Sequence, residues 1–291
     1  MFENIVGNEK IKIELEDAAK KRKFANSYMF IGEESIGKEL FAKEFAKSIM
    51  CINEVYHDKC ECDSCIKFDA LSNPDYMEIH DEKNMIKIDQ IRELEDDIAR
   101  KPIVSNKKVY IISDAKCMTE EAQNCLLKTL EEPPKYATII LITSNENKLL
   151  PTVQSRCMKI KFSKLSDEEL KKIKPDLTKE ELEILDGSLK DIENINQKLD
   201  EYKKLEDIIN NLKHSTLIET MNNADILYNG KDSIMNLLNY LNIIFYKNNI
   251  YEPISIVEET KKKIQNYNNY EMCIDYLLIN SYKKIRNMWN H

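Results

Sequence analysis

Short apolar runs alternate with amphipathic segments over the first 162 residues of the chain. Residues 27–31, 109–112 and 137–142 are almost uninterrupted apolar runs, which is typical of parallel strands buried on both faces. Apolar residues at helical spacing predict helices between these runs, and the predicted helices cover residues 8–23, 40–50, 88–100 and 119–131. Strands that alternate with helices indicate an α/β domain built on a parallel sheet.

Helical periodicity replaces this alternation beyond residue 162. Ser166 followed by Glu169 is the sequence of a capping box. A break near Gly187 separates short helices, and a second change near Lys204 introduces longer ones, including 234–246. The pattern predicts three parts, which are an α/β domain over 1–162, a small helical domain over 163–204 and an all-α domain over 205–291. The apolar stretches 237–245 and 274–279 of the last part suit an ordinary helical core.

The composition limits the partners of the chain more than its fold. The 291 residues are 42% hydrophobic and 32% charged, and the formal net charge is -8. Nucleic-acid binding depends on clustered Lys and Arg, so contact with DNA over the whole surface is not expected, although a local basic patch is compatible with this charge. The chain has no run of about 18 apolar residues, and its first residues lack the features of a signal peptide. We expect a cytoplasmic protein.

The segment from Gly32 to Lys38 has the spacing of a phosphate-binding loop. It follows a predicted strand and opens a predicted helix, as the motif G-x-x-x-x-G-K-[ST] requires. Gly32, Gly37 and Lys38 are therefore the candidate phosphate-binding residues. The next residue is Glu39, which offers no neutral hydroxyl for Mg²⁺ and brings a negative charge toward a bound nucleotide. Glu39 therefore argues against the binding of ATP or ADP, whereas the retained Lys38 is compatible with it.

The acidic motif that accompanies such a loop is also altered. An active site of this type places an Asp that holds Mg²⁺ and a Glu that polarises water after a buried strand. After the predicted strand 109–112 the chain reads Ser113-Asp114-Ala115, so the aspartate is kept and alanine takes the position of the glutamate. Together with Glu39, this predicts that the chain has no ATPase activity of its own.

Four of the eight cysteines, Cys51, Cys60, Cys62 and Cys65, fall within fifteen residues. Four thiolates at this spacing suit a tetrahedral structural zinc site, and their polar neighbours do not suit cysteines that merely pack in a core. The single residue between Cys60 and Cys62 is tighter than usual, so His57 is an alternative ligand. The other four cysteines are expected to be ordinary thiols.

The motifs together resemble a known family. Residues 126–134 (LLKTLEEPP), the apolar strand that follows them and Ser155-Arg156-Cys157 look like the bacterial clamp-loader branch of the AAA+ ATPases. The cysteine insertion that follows the helix after the glycine loop resembles the clamp-loader subunits with the nucleotide-binding fold. Among these subunits of DNA polymerase III, the altered loop resembles the delta prime type. Residues 2–8 and 73–76 resemble further segments of the family. The resemblance is specific to about residue 162 and weak beyond residue 204.

The resemblance implies roles for matching residues. Arg156 would be an arginine finger that reaches the ATP of a neighbouring subunit in trans. Thr143 or Ser144 would take the sensor 1 position, and Lys190 would replace the arginine of sensor 2, which loses the two-pronged contact of a guanidinium. Residues 163–204 would form a helical lid, and residues 205–291 a collar that holds the ring together.

As a whole, the resemblance implies a non-hydrolysing subunit of the DNA polymerase III clamp loader, with no ATPase or polymerase activity of its own. It would sit in a five-subunit ring with gamma/tau and delta type subunits and help to load the sliding clamp onto primed DNA during replication. DNA contact would come from the assembled ring. The alternatives are an active ATPase subunit of the gamma/tau type and a zinc-dependent nucleic-acid-binding module on an inactive scaffold.

Overall fold

The computed structural model describes residues 1–53, 55–57, 59–190, 192–212, 215–231, 233–266 and 269–289. Glu54 and Asp58 of the predicted zinc segment lie outside the described residues. The chain forms two compact units. The first contains Met1–Leu177 and Leu185–Lys190, and the second contains Thr178–Ile184 and Asp191–His291.

The first unit is built on one parallel sheet, as the sequence predicts. Among the described residues, its five strands lie in the order β2-β3-β4-β1-β5. The strands are β1 (Ser27–Ile31), β2 (Tyr76–Ile79), β3 (Lys108–Ile112), β4 (Ala137–Thr143) and β5 (Met158–Lys161). The three central strands correspond to the three predicted apolar runs. The sequence pattern missed both edge strands, and in β5 only Ile160 is buried, so β5 has no apolar run to detect.

Helices cover both faces of this sheet. The helices of the first unit are α1 (Glu9–Lys20), α2 (Lys38–Met50), α3 (Asp63–Asp69), α4 (Ile88–Ile98), α5 (Glu120–Glu131), α6 (Pro151–Gln154) and α7 (Asp167–Ile173). Successive residues of a strand point to opposite faces, and the strands therefore feed two separate cores. In β1, Tyr28 and Phe30 pack with Phe41 and Phe45 of α2, while Met29 packs in a second core with residues of α4 and α5.

Capping side chains fix the starts of two predicted helices. The Thr119 hydroxyl accepts a hydrogen bond from the backbone N–H of Ala122 at the start of α5. Ser166 and Glu169 form the predicted capping box at the start of α7. Each cap satisfies backbone donors that the first helical turn leaves unpaired.

The second unit is helical, as predicted for the C-terminal part. Its helices are α8 (Lys179–Leu185), α9 (Ile195–Asn211), α10 (Leu217–Asn222), α11 (Asp225–Asn229), α12 (Ile234–Lys247), α13 (Ile254–Gln265) and α14 (Tyr270–Trp289). Leu237, Leu241 and Phe245 recur along α12 and are buried, which is the stripe expected of a core helix. In the described part of the chain, no helix has the length and apolar character of a membrane span.

Candidate nucleotide pocket and candidate metal centre

The glycine loop lies at the carboxyl edge of the sheet, between β1 and α2. The backbone N–H of Gly32 donates to the carbonyl of Thr143 at 3.2 Å, which joins the loop to the end of β4. Gly37 has φ +92° and caps the start of α2. Only glycine adopts such a conformation without strain, and the first backbone N–H groups of α2 therefore face the loop, as in a phosphate site.

A cavity of about 320 Å³ opens beside this loop. Its lining contains Glu34, Lys38 and Glu39 from the loop and α2, together with Asp114 after β3. The structure thus brings two of the predicted phosphate-binding residues, Gly37 and Lys38, into one pocket with the altered position Glu39.

Lys38 is directed onto the loop itself. Its ammonium donates hydrogen bonds to the carbonyl oxygen of Gly32 at 2.8 Å and to that of Glu33. Burial lowers the pKa of the Lys38 ammonium, and the charges of Asp114 and Glu34 partly offset this effect. The ammonium that would hold the phosphates is thus engaged by the backbone of its own loop.

Glu39 lies in the first turn of α2 and its side chain is exposed at the pocket. A carboxylate is favourable at a helix N-terminus because it offsets the positive end of the helix dipole. It also puts negative charge where a nucleotide would bring its own. The residue suits an empty helix terminus better than a magnesium nucleotide.

The structure corrects the reasoning about Ala115. Its side chain is fully buried in the apolar core that α4 and α5 share with the sheet, so a glutamate at this position would not face the pocket. Asp114 faces the pocket instead, with φ +47°. The ammonium of Lys116 lies 3.6 Å from the carboxylate of Asp114. The acidic group near the pocket is therefore Asp114, and it is partly neutralised by a lysine that the sequence pattern did not single out.

The residues expected at the sensor positions follow β4 or lie next to a residue that binds the glycine loop. Ser144 accepts a hydrogen bond from Lys116 at 2.8 Å, whereas the hydroxyl of Thr143 is used locally by the backbone of Asn145. The backbone N–H of Leu189, next to Lys190, donates to the carbonyl of Ser35 in the glycine loop at 2.7 Å. The segment of Lys190 is thereby fixed against the loop.

Arg156 lies at the opposite edge of the sheet from the glycine loop. It precedes β5, which pairs in parallel with β1 from Tyr28↔Met158 to Ile31↔Lys161, so Arg156 is at the amino edge while Gly32 follows β1 at the carboxyl edge. Four residues at about 3.3 Å each separate these edges by roughly 13 Å. The guanidinium donates to Glu131 Oε1 at 2.6 Å and to the carbonyl of Thr152 at 2.8 Å. Arg156 therefore does not line the pocket of its own chain.

Cys51, Cys60, Cys62 and Cys65 form one cluster. Their sulfur atoms all lie within 4.8 Å of one another, and the Sγ of Cys51 is 3.6 Å from that of Cys60 and 3.9 Å from that of Cys62. Zinc bound tetrahedrally by four thiolates at 2.3 Å requires sulfur atoms about 3.8 Å apart. The four cysteines could thus hold a metal such as zinc. The imidazole of His57 is exposed and, within the described residues, is not part of this group.

Backbone and side-chain donors surround the thiols. Burial by itself raises the pKa of the Cys62 thiol, but the backbone N–H groups of Cys65 and Ile52 outweigh it and lower that pKa to about 7. The amide of Asn53 donates to the Sγ of Cys60 at 3.2 Å. Donors of this kind orient thiolates before a metal arrives. With four protein ligands a zinc ion would have no open position, so the site suits a structural role.

The cluster is fixed to the sheet domain by α2 and α3. Cys51 ends α2, and its carbonyl accepts a 2.7 Å hydrogen bond from the guanidinium of Arg22. Cys62 caps the start of α3, and Cys65 lies in its first turn. Lys47 of α2 pairs with Asp69 of α3 at 2.7 Å. The two helices therefore position three of the four thiols.

Asp75, inside the family-like segment 73–76, binds the backbone that precedes β3, and Asn73 of the same segment contacts α3 of the cysteine module. The buried carboxylate of Asp75 accepts backbone hydrogen bonds from Ile103, Val104 and Ser105, each at 2.7 Å. The nearby amide of Asn73 donates to the carbonyl of Ser64 in α3 at 3.0 Å. The segment was noted in the sequence only as a resemblance, and the structure gives it a physical role.

We expect Asp75→Asn to lower the free energy of unfolding of the first unit by about 2–4 kcal/mol. Hydrogen bonds to a charged acceptor contribute roughly 1.5–3 kcal/mol each, and the amide replaces one acceptor oxygen with a donor that faces backbone N–H groups. Urea unfolding followed by circular dichroism measures the change. Asp81→Asn is the matched control, because Asp81 accepts a single backbone hydrogen bond in an exposed turn. Equal losses for the two variants would contradict this role of Asp75.

Comparison with known proteins gives a consistent family. The sequence profile described as "DNA polymerase III, delta subunit" matches residues 7–166. The chain is 34% identical over 170 residues to the DNA polymerase III subunit tau/gamma of Haemophilus influenzae, which covers 58% of this chain and 25% of that protein. It is 36% identical over 152 residues to the DNA polymerase III subunit delta' of Bacillus subtilis, which covers 52% of this chain and 46% of that protein.

A solved structure extends the similarity of fold over most of the chain. The DNA polymerase III gamma subunit-related protein from Thermotoga maritima superimposes with a TM-score of 0.58 at 21% identity, over 93% of this chain and 99% of that one. The chain spans only about a quarter to a third of the length of the first curated relatives that it matches. Identities of 34% and 36% are too close to separate the tau/gamma type from the delta' type.

Proposed function

The chain belongs to the DNA polymerase III clamp-loader subunit family, and on that premise we propose that it is a non-hydrolysing subunit of the delta prime type. In this proposal residues 1–162 form an AAA+ domain that has lost turnover. The chain joins gamma/tau and delta type subunits in a five-membered ring, which loads the sliding clamp onto primed DNA. DNA contact by the assembled ring fits a chain whose net charge is -8.

The observation that carries the proposal is the pocket lining. Glu39 stands where a magnesium nucleotide needs a hydroxyl, and Lys38 hydrogen-bonds to carbonyls of its own loop. Phosphoryl transfer depends on positioning and on positive charge around the transferring group. A pocket that adds a carboxylate and engages its lysine internally is poorly suited to that task.

The position of Arg156 supports a role toward a neighbour. Arg156 precedes β5 and lies at the other end of the parallel strands from the chain's own glycine loop, roughly 13 Å away along the backbone. Its partner Glu131 is half-exposed. Surface ion pairs of this kind contribute at most about 1 kcal/mol, so a phosphate on another subunit can replace Glu131 at little cost. We infer that Arg156 acts on the ATP of an adjacent subunit.

The remaining parts take structural roles in this proposal. Cys51, Cys60, Cys62 and Cys65 hold a zinc ion that fixes the segment between α2 and α3. Residues 163–204 form the lid, and residues 205–291 form the collar through which the subunits associate. The buried apolar stripe of α12 is consistent with a helical core in that last part.

An active ATPase subunit of the gamma/tau type is the second candidate. It is favoured by the tau/gamma relatives at 34% and 37% identity and by the retained Lys38 and Asp114 in the pocket. In that case the chain alone should hydrolyse ATP over many cycles, whereas our proposal expects no turnover.

ATP hydrolysis by the purified chain tests the two candidates directly. We expect the release of phosphate to stay at the background of a Lys38→Ala variant, with and without primed DNA. Addition of the chain to gamma/tau and delta type subunits should raise their DNA-dependent ATPase activity. Sustained turnover that the Lys38→Ala substitution removes would contradict a non-hydrolysing subunit.

A further inference from the structure

Glu34 of the glycine loop lines the pocket and forms an ion pair with Lys116. Its carboxylate accepts a hydrogen bond from the ammonium of Lys116, which follows β3. Lys116 also donates to the hydroxyl of Ser144 at the end of β4, at 2.8 Å, and lies 3.6 Å from Asp114. One lysine thereby joins the loop to the ends of two neighbouring strands.

Positive charges converge on this carboxylate. The hydrogen bond from Lys116 lowers the pKa of Glu34, and the charges of Lys190 and Lys38 lower it further. For Lys116 itself, burial opposes the charge, but the bond with Glu34 prevails and raises its pKa. Glu34 and Lys116 are therefore both ionised near neutral pH, as an anion and the cation that binds it.

The backbone of the loop keeps Glu34 in this place. The hydroxyl of Ser188 contacts the carbonyl oxygen of Glu34 at 3.4 Å, and the N–H of Leu189 donates to that of Ser35. Ser35 has φ +56°, a conformation that is uncommon for a residue with a side chain. The loop is thus held in a specific shape that places the Glu34 carboxylate among the lysines.

We propose that Glu34 is an internal anion that occupies the phosphate-binding charges of this pocket and excludes nucleoside polyphosphates. The lysines around a glycine loop normally bind the oxygens of a phosphate chain. Here a carboxylate of the same loop already binds Lys116 and lies within range of Lys38 and Lys190. A polyphosphate that binds these lysines must displace the Glu34 carboxylate from them. The displaced carboxylate stays in the same loop, a short distance from the phosphates, and repels their negative charge even in water.

The inference deepens the proposed loss of turnover but does not depend on the role of Arg156 or on a neighbouring subunit. It assigns to Glu34 the low affinity of the pocket. Glu39 and the internally hydrogen-bonded Lys38 already make the pocket unfavourable for a magnesium nucleotide, and Glu34 adds a carboxylate that holds a nearby cation.

Glu33 provides a matched control in the same loop. It carries the same charge and is also exposed, but it pairs with Lys164 at 3.1 Å, and Lys164 also pairs with Asp186 at 2.6 Å. Glu33 does not line the pocket. If only the total charge of the loop matters, Glu33→Gln and Glu34→Gln should have equal effects.

The test is titration of the full chain with magnesium-ADP, magnesium-ATP and inorganic pyrophosphate by isothermal calorimetry. We expect weak or undetectable binding to the wild-type chain and to Glu33→Gln. Both Glu34→Gln and Glu34→Ala should bind each of the three probes at least about tenfold more tightly, because a repelling charge is removed and Lys116 is released. The gain should disappear in the double variant Glu34→Gln/Lys116→Met.

Unfolding temperatures without ligand verify that each variant is folded, and Glu34→Ala serves if Glu34→Gln is not. The proposal is overturned if both Glu34 variants bind no more tightly than the wild type, or if Glu33→Gln gains as much. It is also overturned if the double variant keeps the full gain. Tight binding of the probes by the wild-type chain would also overturn it. Tight binding without ATP turnover would contradict only this inference, whereas ATP turnover by the wild-type chain would contradict the proposed function as well.

Discussion

Arg156→Ala should abolish most ATP hydrolysis at the subunit next to this chain in the reconstituted clamp loader. An arginine supplied in trans to a phosphoryl-transfer site accelerates hydrolysis by on the order of 10³–10⁵. We therefore expect single-turnover hydrolysis at that neighbouring site to fall by at least about 10³-fold. Clamp loading, measured by the fluorescence of a labelled clamp on primed DNA, should fall with it.

Matched substitutions separate this role from a general loss of surface charge. Lys159 is a neighbouring cation of similar exposure that pairs with Glu146 at 2.7 Å, so Lys159→Ala should leave neighbour hydrolysis nearly unchanged. Arg156→Lys should recover little activity, since a lysine lacks the planar fork of a guanidinium. Normal neighbour hydrolysis by a complex that contains Arg156→Ala would disprove the finger assignment.

The contact with Glu131 makes a further distinction within the same experiment. Glu131 ends α5 and holds the guanidinium at 2.6 Å in the isolated chain. If Glu131 only positions Arg156 when no neighbouring ATP is present, Glu131→Gln should change ATP hydrolysis at the neighbouring subunit by severalfold at most. An exposed ion pair contributes about 1 kcal/mol or less. The two variants therefore distinguish the loss of the guanidinium from the loss of its resting partner.

The hydrophobic pattern predicted the centre of the sheet but not its edges. Residues 27–31 and 137–142 are buried on both faces and so carry an apolar residue at nearly every position. In β5 the residues flanking Ile160 are exposed lysines, and such a segment reads as a polar loop. The position of Arg156 relative to the glycine loop depends on β5. The sequence alone could therefore not show that Arg156 lies at the amino ends of the strands and the glycine loop at their carboxyl ends.

The candidate site was partly predictable for a similar reason. Motif spacing located Gly32, Lys38 and the four cysteines because local backbone geometry requires those residue types there. Glu34 and Lys116 are 82 residues apart, and a motif carries no information about such a pair. The expectation that Ala115 takes the position of a catalytic glutamate was wrong because the direction of a side chain after a strand depends on the turn that follows. Here Asp114 makes that turn with φ +47°.

The second large effect should follow from loss of one cysteine ligand. Cys65 is 1% exposed and lies in the first turn of α3, where its thiol joins those of Cys51 and Cys60. If zinc is the resident metal, Cys65→Ser should weaken its binding by at least about 10²-fold, since even partners that only support the ligands alter affinity by 10–100-fold. Metal analysis of the purified variant should then find far less than one zinc per chain.

We expect the segment between α2 and α3 to lose its fold when the metal is removed. Binding of a structural zinc supplies roughly 10–16 kcal/mol of apparent free energy in small zinc modules, and the loop between α2 and α3 has a small core of its own, formed by the thiols and Tyr56. We expect a strong zinc chelator to lower the unfolding temperature of the wild-type chain and to expose residues 51–65 to proteolysis. Even without chelator, Cys65→Ser should show the lower unfolding temperature and the proteolysis expected of the wild-type chain treated with chelator.

Two substitutions provide the controls for this prediction. Cys125 lies outside the cluster and donates to Glu95 at 3.2 Å, a bond that serine can also make, so Cys125→Ser should keep both zinc and stability. His57→Ala should do the same, because its imidazole is exposed and outside the four-thiol group. Loss of zinc in His57→Ala would make histidine a ligand in place of one thiol. A wild-type chain that binds no zinc, and whose unfolding temperature ignores the chelator, would reduce the cluster to buried thiols, with Lys47 and Arg22 left to hold the module.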